Sequence, residues 1–283
     1  MNVAKPVLRF FFDRLDVPIR IAYCHAPLIH KRFFWRLYSS NFEGLDRLFN
    51  SLAEQLARID YSLEDKVCLE LGPGNTYINA FNLLIAGARK VILVDKYPRN
   101  FDTKEQCAYF RKELDFVCRK YGVETLPFAS PEGCDPERIS VIAGDITRLE
   151  FNEQVDFVYS NSVLEHVRDI PGTLSALSAV MKQGAIAHHG IDMRDHFNFE
   201  SPFLFYRYSS TIWEKYLTKE GVSYTNRLRY DEFEAEFRRQ NLEILHADLW
   251  RYPLHTSNLS APFRGKPEDI LQIGRAFVLL RKV

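Results

Sequence analysis

The residues best placed to do chemistry stand just past short apolar runs. Glu70 lies in the run Lys66–Leu71 and leads into Gly72, Pro73, Gly74 and Asn75, while Asp95 closes Lys90–Val94. Asp145 follows Ile139–Ala143, Ser160 and Asn161 end Val155–Ser160, and Asp192 follows Gly184–Ile191. A tight glycine turn between a strand and a helix lets a ligand come close to the backbone. A dinucleotide site would carry a third glycine or an alanine where Tyr77 stands, so the dehydrogenase fingerprint is broken. A carboxylate two residues before the first glycine also suits a cationic ligand better than a pyrophosphate. Asp95, about twenty residues after the turn, stands where a carboxylate can accept both hydroxyl protons of a ribose. The alternative is a helix cap or a solvated loop acid, but strand order and spacing both fit the ribose role. Asp145 could accept an adenine amino group while Ile146 packs on the ring, or it is a simple turn aspartate.

Four histidines in the C-terminal half are candidates for proton transfer near neutral pH: His166, His188, His189 and His196. His188 and His189 alternate along one strand and point to opposite faces, which suits half-buried structural roles. His166 sits in a helix-like stretch, Val163–Arg168, where packing or turn capping is the simpler reading. His196 lies past the end of a strand, in a loop with Asp192 and Asp195, and is the first choice as general base. Asp192 would orient it, hold a substrate or share a metal with Asp195. No spacing specifies a metal site, and none is expected.

The elements that position these residues alternate between strand and helix. Helical periodicity runs through Phe42, Leu45, Leu48, Phe49, Leu52, Leu56 and Ile59, and further helices are expected at 77–86, near 103–121 and at 174–181. Residues 242–249 and 276–281 supply two last strands. Such alternation implies a doubly wound α/β fold with a mostly parallel sheet, whose ligand lies outside the carboxyl ends of the strands. Residues 1–60 form a helical N-terminal extension or lid, and 61–283 the main domain. Insertions at about 96–138 and 195–240 build a cap. The second insertion is rich in aromatics (Phe197, Phe199, Phe203, Phe205, Tyr206, Tyr208, Trp213). They suit a small core or an acceptor wall. Arg207, Arg227 and Arg229 would hold an anionic acceptor or lie in solvent.

The set ELGPGNT, VILVD, AGDI and VYSNSVLEHV, in this order and spacing, resembles the class I S-adenosylmethionine-dependent methyltransferases. VLEHV is most like the branch acting on small metabolites. The resemblance covers about residues 60–192 and implies a seven-stranded sheet whose last strand, about 274–282, runs antiparallel. It assigns Glu70, Gly72 and Gly74, with Asn75 in the same turn, to the methionine and ribose side of S-adenosylmethionine. Asp95 goes to the ribose hydroxyls, Asp145 and Ile146 to the adenine, and Ser160 and Asn161 to the loop beside the methyl donor. Residues 191–197 more faintly resemble methyltransferases of bacterial polysaccharide and natural-product biosynthesis. The expected activity is O-methylation of a small hydroxylated acceptor, with His196, Asp192 and His166 as catalytic candidates. The alternatives are a methyltransferase acting on RNA or protein, and a non-catalytic binding module. Ser160-Asn161-Ser162-Val163 stands where an amino-methylating enzyme carries an Asn-Pro-Pro-Tyr-type loop.

Composition narrows the partners. Lys+Arg and Asp+Glu both total 37, so the formal net charge is zero, which disfavours binding nucleic acid through overall positive potential. Five scattered cysteines (Cys24, Cys68, Cys107, Cys118, Cys134) without CxxC spacing suit reduced thiols and a cytoplasmic location. No apolar run approaches a membrane span. The N-terminal aromatic and basic residues, Phe10 to Phe12 and His30 to Arg36, suit a lid or a peripheral membrane contact. A homo-oligomer stays open.

Overall fold

In the computed structural model, the described residues are 41–99, 103–219, 224–255 and 258–283, with 17–18 and 20–21. The aromatic and basic N-terminal stretches at 10–12 and 30–36 lie outside them. Helix α1, Phe42–Arg58, begins where the Asn41 side chain accepts the Gly44 N–H at 3.1 Å. Strand β1 (Val67–Leu71), helix α2 (Ile78–Ile85) and strand β2 (Lys90–Asp95) follow. Helix α3, Lys104–Tyr121, opens on a reciprocal Thr103–Gln106 capping box and stops at Gly122, whose φ is 65°. A short hairpin, β3 (Ala129–Ser130) and β4 (Gly133–Cys134), precedes β5 (Ile139–Ala143) and β6 (Val155–Asn161). Helix α4 (Ile170–Val180), strand β7 (Met181–Asp192), helix α5 (Tyr230–Arg239) and strands β8 (Leu242–Arg251) and β9 (Ile273–Lys282) complete the frame.

The seven-stranded sheet runs β5-β2-β1-β6-β7-β9-β8. All neighbours are parallel except β7 with β9 and β8 with β9, so β9 is the antiparallel strand. Alternation along β1 explains the two cores. Val67, Leu69 and Leu71 face α4 and α5 through Leu174, Leu177, Phe233 and Phe237. Cys68 faces α1, α2 and α3 through Phe49, Leu52, Phe81 and Phe110. The strand order reverses between β1 and β6, and that crevice is where such sheets bind ligands.

Some expectations change in detail. The stretch 163–168 holds a single 3-10 turn, Leu164–His166, rather than a longer helix, and α4 starts at Ile170, four residues early. β7 starts at Met181, because a register irregularity near Gly184 (φ 77°) carries polar residues into the strand. The connection at 96–138 is a crossover helix plus the small hairpin. In the second insertion, residues from 230 onward form α5, which leaves about 193–229 as the cap. Phe203, Phe205, Tyr206, Tyr208 and Trp213 build its separate core with Phe263 and Leu271 from the β8–β9 connection, a segment the sequence did not flag.

Candidate active site

At the donor side, Glu70 is 2% exposed at the end of β1, and its Oε1 accepts the Asn79 side-chain N–H from α2 at 2.8 Å. Its Oε2 is buried without a partner. Burial pushes the Glu70 carboxyl up to about 8, with the Asn79 hydrogen bond opposing and Asp95 adding to the rise. The turn beyond it requires its glycines, since Gly72 and Gly74 have φ of 68° and 61°. A Cβ on Gly72 would lie 2.6 Å from Val163 Cγ2, so this glycine lets the loop after β6 close against the turn. A Cβ on Gly74 would meet nothing within 4 Å; that face is open. Asp95 holds the same turn, accepting the Gly74 N–H at 3.1 Å on Oδ2 and the Tyr97 N–H at 2.7 Å on Oδ1.

A buried ion pair missed in the sequence supports the turn from behind. Arg99 and Glu113, 1% and 0% exposed, are paired; Arg99 donates to the Asn75 carbonyl at 3.2 Å, and Glu113 accepts the Tyr77 N–H at 3.2 Å. Asn75 itself is exposed. Asp145 caps the 3-10 turn Ile146–Arg148, taking the Thr147 N–H at 3.1 Å and hydroxyl at 2.8 Å on Oδ1; these bonds outweigh burial and keep its carboxyl low. Ile146 is buried in the sheet core.

Past β6 the assignments diverge. The Ser160 hydroxyl is 2.7 Å from His189 Nδ1, and both residues are fully buried, so that side chain is turned into the protein. Asn161 instead lies over β7, where a Cβ on Gly190 would be 2.4 Å from its Oδ1. His188 and His189 are fully buried rather than half-buried, and burial lowers them to about 3 and about 4. His188 stacks beside Tyr159 and Phe277, and His189 beside Phe237.

His166 and His196 come together at the ends of β6 and β7, their rings T-shaped with centroids 4.9 Å apart. His166 Nδ1 donates to the Tyr224 carbonyl at 2.6 Å, and His196 Nε2 to the Asp192 carbonyl at 3.1 Å. A carbonyl only accepts, so each imidazole keeps one free ring nitrogen. Burial, reinforced by the neighbouring His166, lowers His196 to about 4, and burial also lowers His166. Both are neutral at physiological pH.

Asp192 faces the same corner, but its carboxylate receives Arg194 Nε at 2.8 Å and Nη2 at 2.6 Å, with Arg275 Nε at 3.7 Å. Burial opposes its ionisation, yet Arg194, His196 and Arg275 together hold it below the usual carboxylate range. Asp195 pairs with Arg20, whose guanidinium also lies over the rings of Phe197 and Trp213. Asp192 and Asp195 are thus occupied by cations and do not form a metal pair.

The sequence did not single out Glu165. It is 2% exposed, lies 3.8 Å from His196 Nε2 through Oε1, and neither carboxylate oxygen has a hydrogen-bond partner. Burial, reinforced by Asp192, raises its carboxyl well above the ordinary range. Only the 3-10 turn, which aims residue 165 inward, reveals it. Asn226 pins that turn, donating from Nδ2 to the carbonyls of Leu164 and Val167 at 2.8 and 2.9 Å.

Two expected acceptor residues have other work. Arg227 donates to the Phe205 and Tyr208 carbonyls, and Arg229, fully buried, donates to the Met193 and Ile273 carbonyls. They tie the cap to the sheet and are neither an anion site nor solvated. Arg207 is exposed. Phe199, 57% exposed and stacked near His196, is the aromatic left open beside the corner.

A doubly wound sheet whose strand order reverses beside a glycine turn and an acidic strand end is the architecture that holds nucleotide-like ligands in its crevice. Residues 43–247 match the family model described as a methyltransferase domain, and the chain belongs to that family. S-adenosylmethionine is its cofactor. Among solved structures, the chain is similar to a candidate sarcosine dimethylglycine methyltransferase from Galdieria sulphuraria, at 15% identity and TM-score 0.50, covering 83% of this chain and 85% of that one. It is also similar to S-adenosylmethionine-dependent methyltransferases from Mesorhizobium loti (15% identity, 81% and 96% covered, TM-score 0.46) and Methanosarcina mazei (14%, 80% and 97%, 0.48). No curated protein matches the sequence.

Proposed function

We propose that this enzyme methylates a hydroxyl oxygen of a small acceptor, in the class of sugars, polysaccharide precursors or natural products. The observation that carries the reading is the His166–His196 pair, neutral and each with one free ring nitrogen, at the ends of β6 and β7. This corner adjoins the turn where the donor would bind, since Val163, next to the 3-10 turn, packs against Gly72.

The residues at the turn fit S-adenosylmethionine on two observations. The buried, partnerless Glu70 Oε2 wants a cationic hydrogen-bond donor, and the open face of Gly74 admits a ligand against the backbone. Glu70 would hold the amino group, Asp95 the ribose hydroxyls, Asp145 the adenine amino group, and Gly72, Gly74 and Asn75 the backbone wall. Ile146 and Asn161 would flank the rings and the methyl donor, and Ser160 would contribute through its backbone. Bound S-adenosylmethionine supplies an electrophilic methyl group on a positive sulfonium. Holding donor and acceptor in line accounts for most of the rate. His196 takes the acceptor's proton on its free nitrogen, while the Asp192 carbonyl fixes the ring and His166 braces it.

The cap, with Arg20 paired to Asp195, would cover the acceptor. Among the described residues no helix is long and apolar enough to cross a membrane. Cys68, Cys118 and Cys134, which form no disulfide among the described residues, suit a reducing, cytoplasmic setting. The test is His196→Ala, assayed for S-adenosylmethionine binding and for turnover separately. Retained binding with lost turnover supports the role, and near-normal turnover removes it.

A further inference from the structure

We propose that Glu165, His166 and His196 form a binding site for one divalent transition-metal ion, zinc in the first instance, at the acceptor edge of the cleft. One potential ligand atom from each of the three residues lies within 4.8 Å of the other two. Around an ion with bonds of ~2.0–2.2 Å, tetrahedral ligands stand roughly 3.4 Å apart, so the side chains close in by about an ångström.

Two features make this more than a polar cluster. Glu165 is a carboxylate 2% exposed with both oxygens unpartnered, and burying it that way is costly unless something positive arrives. His166 Nδ1 also donates its N–H to the Tyr224 carbonyl, which leaves Nε2 as the ligand atom. That is the outer bond that fixes tautomer and orientation in metal-binding histidines.

The donor set selects the ion. Two imidazoles with one carboxylate suit zinc or another first-row transition metal, whereas magnesium prefers oxygen ligands and its own waters. Asp192 is not a ligand, because Arg194 grips both of its oxygens. Three protein ligands leave a coordination position open, and His166, the most solvent-accessible of the three, marks the side from which an acceptor oxygen reaches it. With the ion bound, both imidazoles are ligands, the ion lowers the pKa of the acceptor hydroxyl, and its proton goes to solvent. In the ion-free protein, His196 takes that proton directly. The ion's catalytic use rests on the proposed methylation; its binding does not.

The experiment is equilibrium dialysis of the full chain, stripped with a chelator and freed of any tag, against zinc and against magnesium. One zinc per chain is expected, with no comparable magnesium binding. Glu165→Gln and the double variant His166→Ala/His196→Ala should weaken zinc binding on the order of 100-fold, whereas His255→Ala, an exposed histidine elsewhere, should not. X-ray absorption at the zinc edge of the wild-type protein provides a readout independent of variant folding, and it should show two imidazoles and one carboxylate. Zinc binding unchanged in the double variant, a ligand shell lacking two imidazoles, or no stoichiometric binding overturns the proposal. Because binding is read without an acceptor, failure of methyl transfer and failure of the metal site are separate results.

Discussion

Asn79 on α2 donates a 2.8 Å hydrogen bond to Glu70 Oε1 at the end of β1, leaving Glu70 Oε2 buried and without a partner. The strand end and the following helix thus hold a carboxylate that is half satisfied until a ligand arrives. Burial lifts its pKa to about 8, so at neutral pH it is largely protonated in the free protein.

A cationic ligand needs the ionised carboxylate, and binding therefore releases a proton. S-adenosylmethionine affinity should rise as pH increases from about 6 and level off above about 8. The sign for stability is opposite: a carboxyl whose folded pKa lies above its unfolded value stabilises fully below the unfolded value and loses that contribution as pH rises towards 8. Calorimetry at pH 7 in buffers of different ionisation enthalpy should detect the released proton. Glu70→Gln should abolish the release and weaken binding.

Asp95 couples the turn to the ligand. Asp95→Ala loses the bond to the Gly74 N–H as well as the proposed ribose contacts. Hydrogen bonds to a charged group contribute about 1.5–3 kcal/mol each, so the dissociation constant should rise at least about 10-fold. Unchanged affinity in calorimetry would remove Asp95 from the cofactor site.

His196→Ala should leave cofactor affinity within about twofold and cut turnover by about 10²- to 10⁴-fold, the usual weight of a positioned acid or base. The base works unprotonated, and His196 is held down to about 4. The acid limb of the wild-type rate profile should therefore fall below pH 5. An acid limb centred near 6.5 would mean that this imidazole is not buried as described.

The Gly72 position tests the join between the two halves of the site. Gly72→Ala puts a methyl 2.6 Å from Val163 Cγ2 and imposes a φ of 68° on alanine. The left-handed backbone alone costs about 1–2 kcal/mol, and thermal unfolding should show a lower Tm. Val163→Ala in the same chain should restore part of the loss, because only the contact is relieved.

How much of this was legible in the sequence depends on what each residue needs. That Glu70, Asp95 and Asp145 stand at or just past the carboxyl ends of strands was readable, because short apolar runs followed by turn residues mark where a strand stops. Glu165 was not, since its inward aim depends on a 3-10 turn pinned by Asn226, 61 positions further on. Arg227 and Arg229 read as holders of an anionic acceptor or as solvated charges, yet they bury against carbonyls that only the folded cap brings near. Ser160 was correctly placed at a strand end, but its rotamer and the buried His189 decide that it points inward. β7 began early because Gly184, with φ 77°, lets the strand absorb an irregularity that periodicity cannot show.

Whether the methyl group goes to a small hydroxylated molecule at the histidine corner is tested most directly by incubating the enzyme with S-adenosylmethionine labelled in its methyl group and a whole-cell extract, then separating small molecules from protein and RNA. Label is expected in the small-molecule fraction, stable to treatments that cleave esters, and lost with His196→Ala. Label confined to protein or RNA, or small-molecule labelling undiminished in that variant, would contradict the proposal.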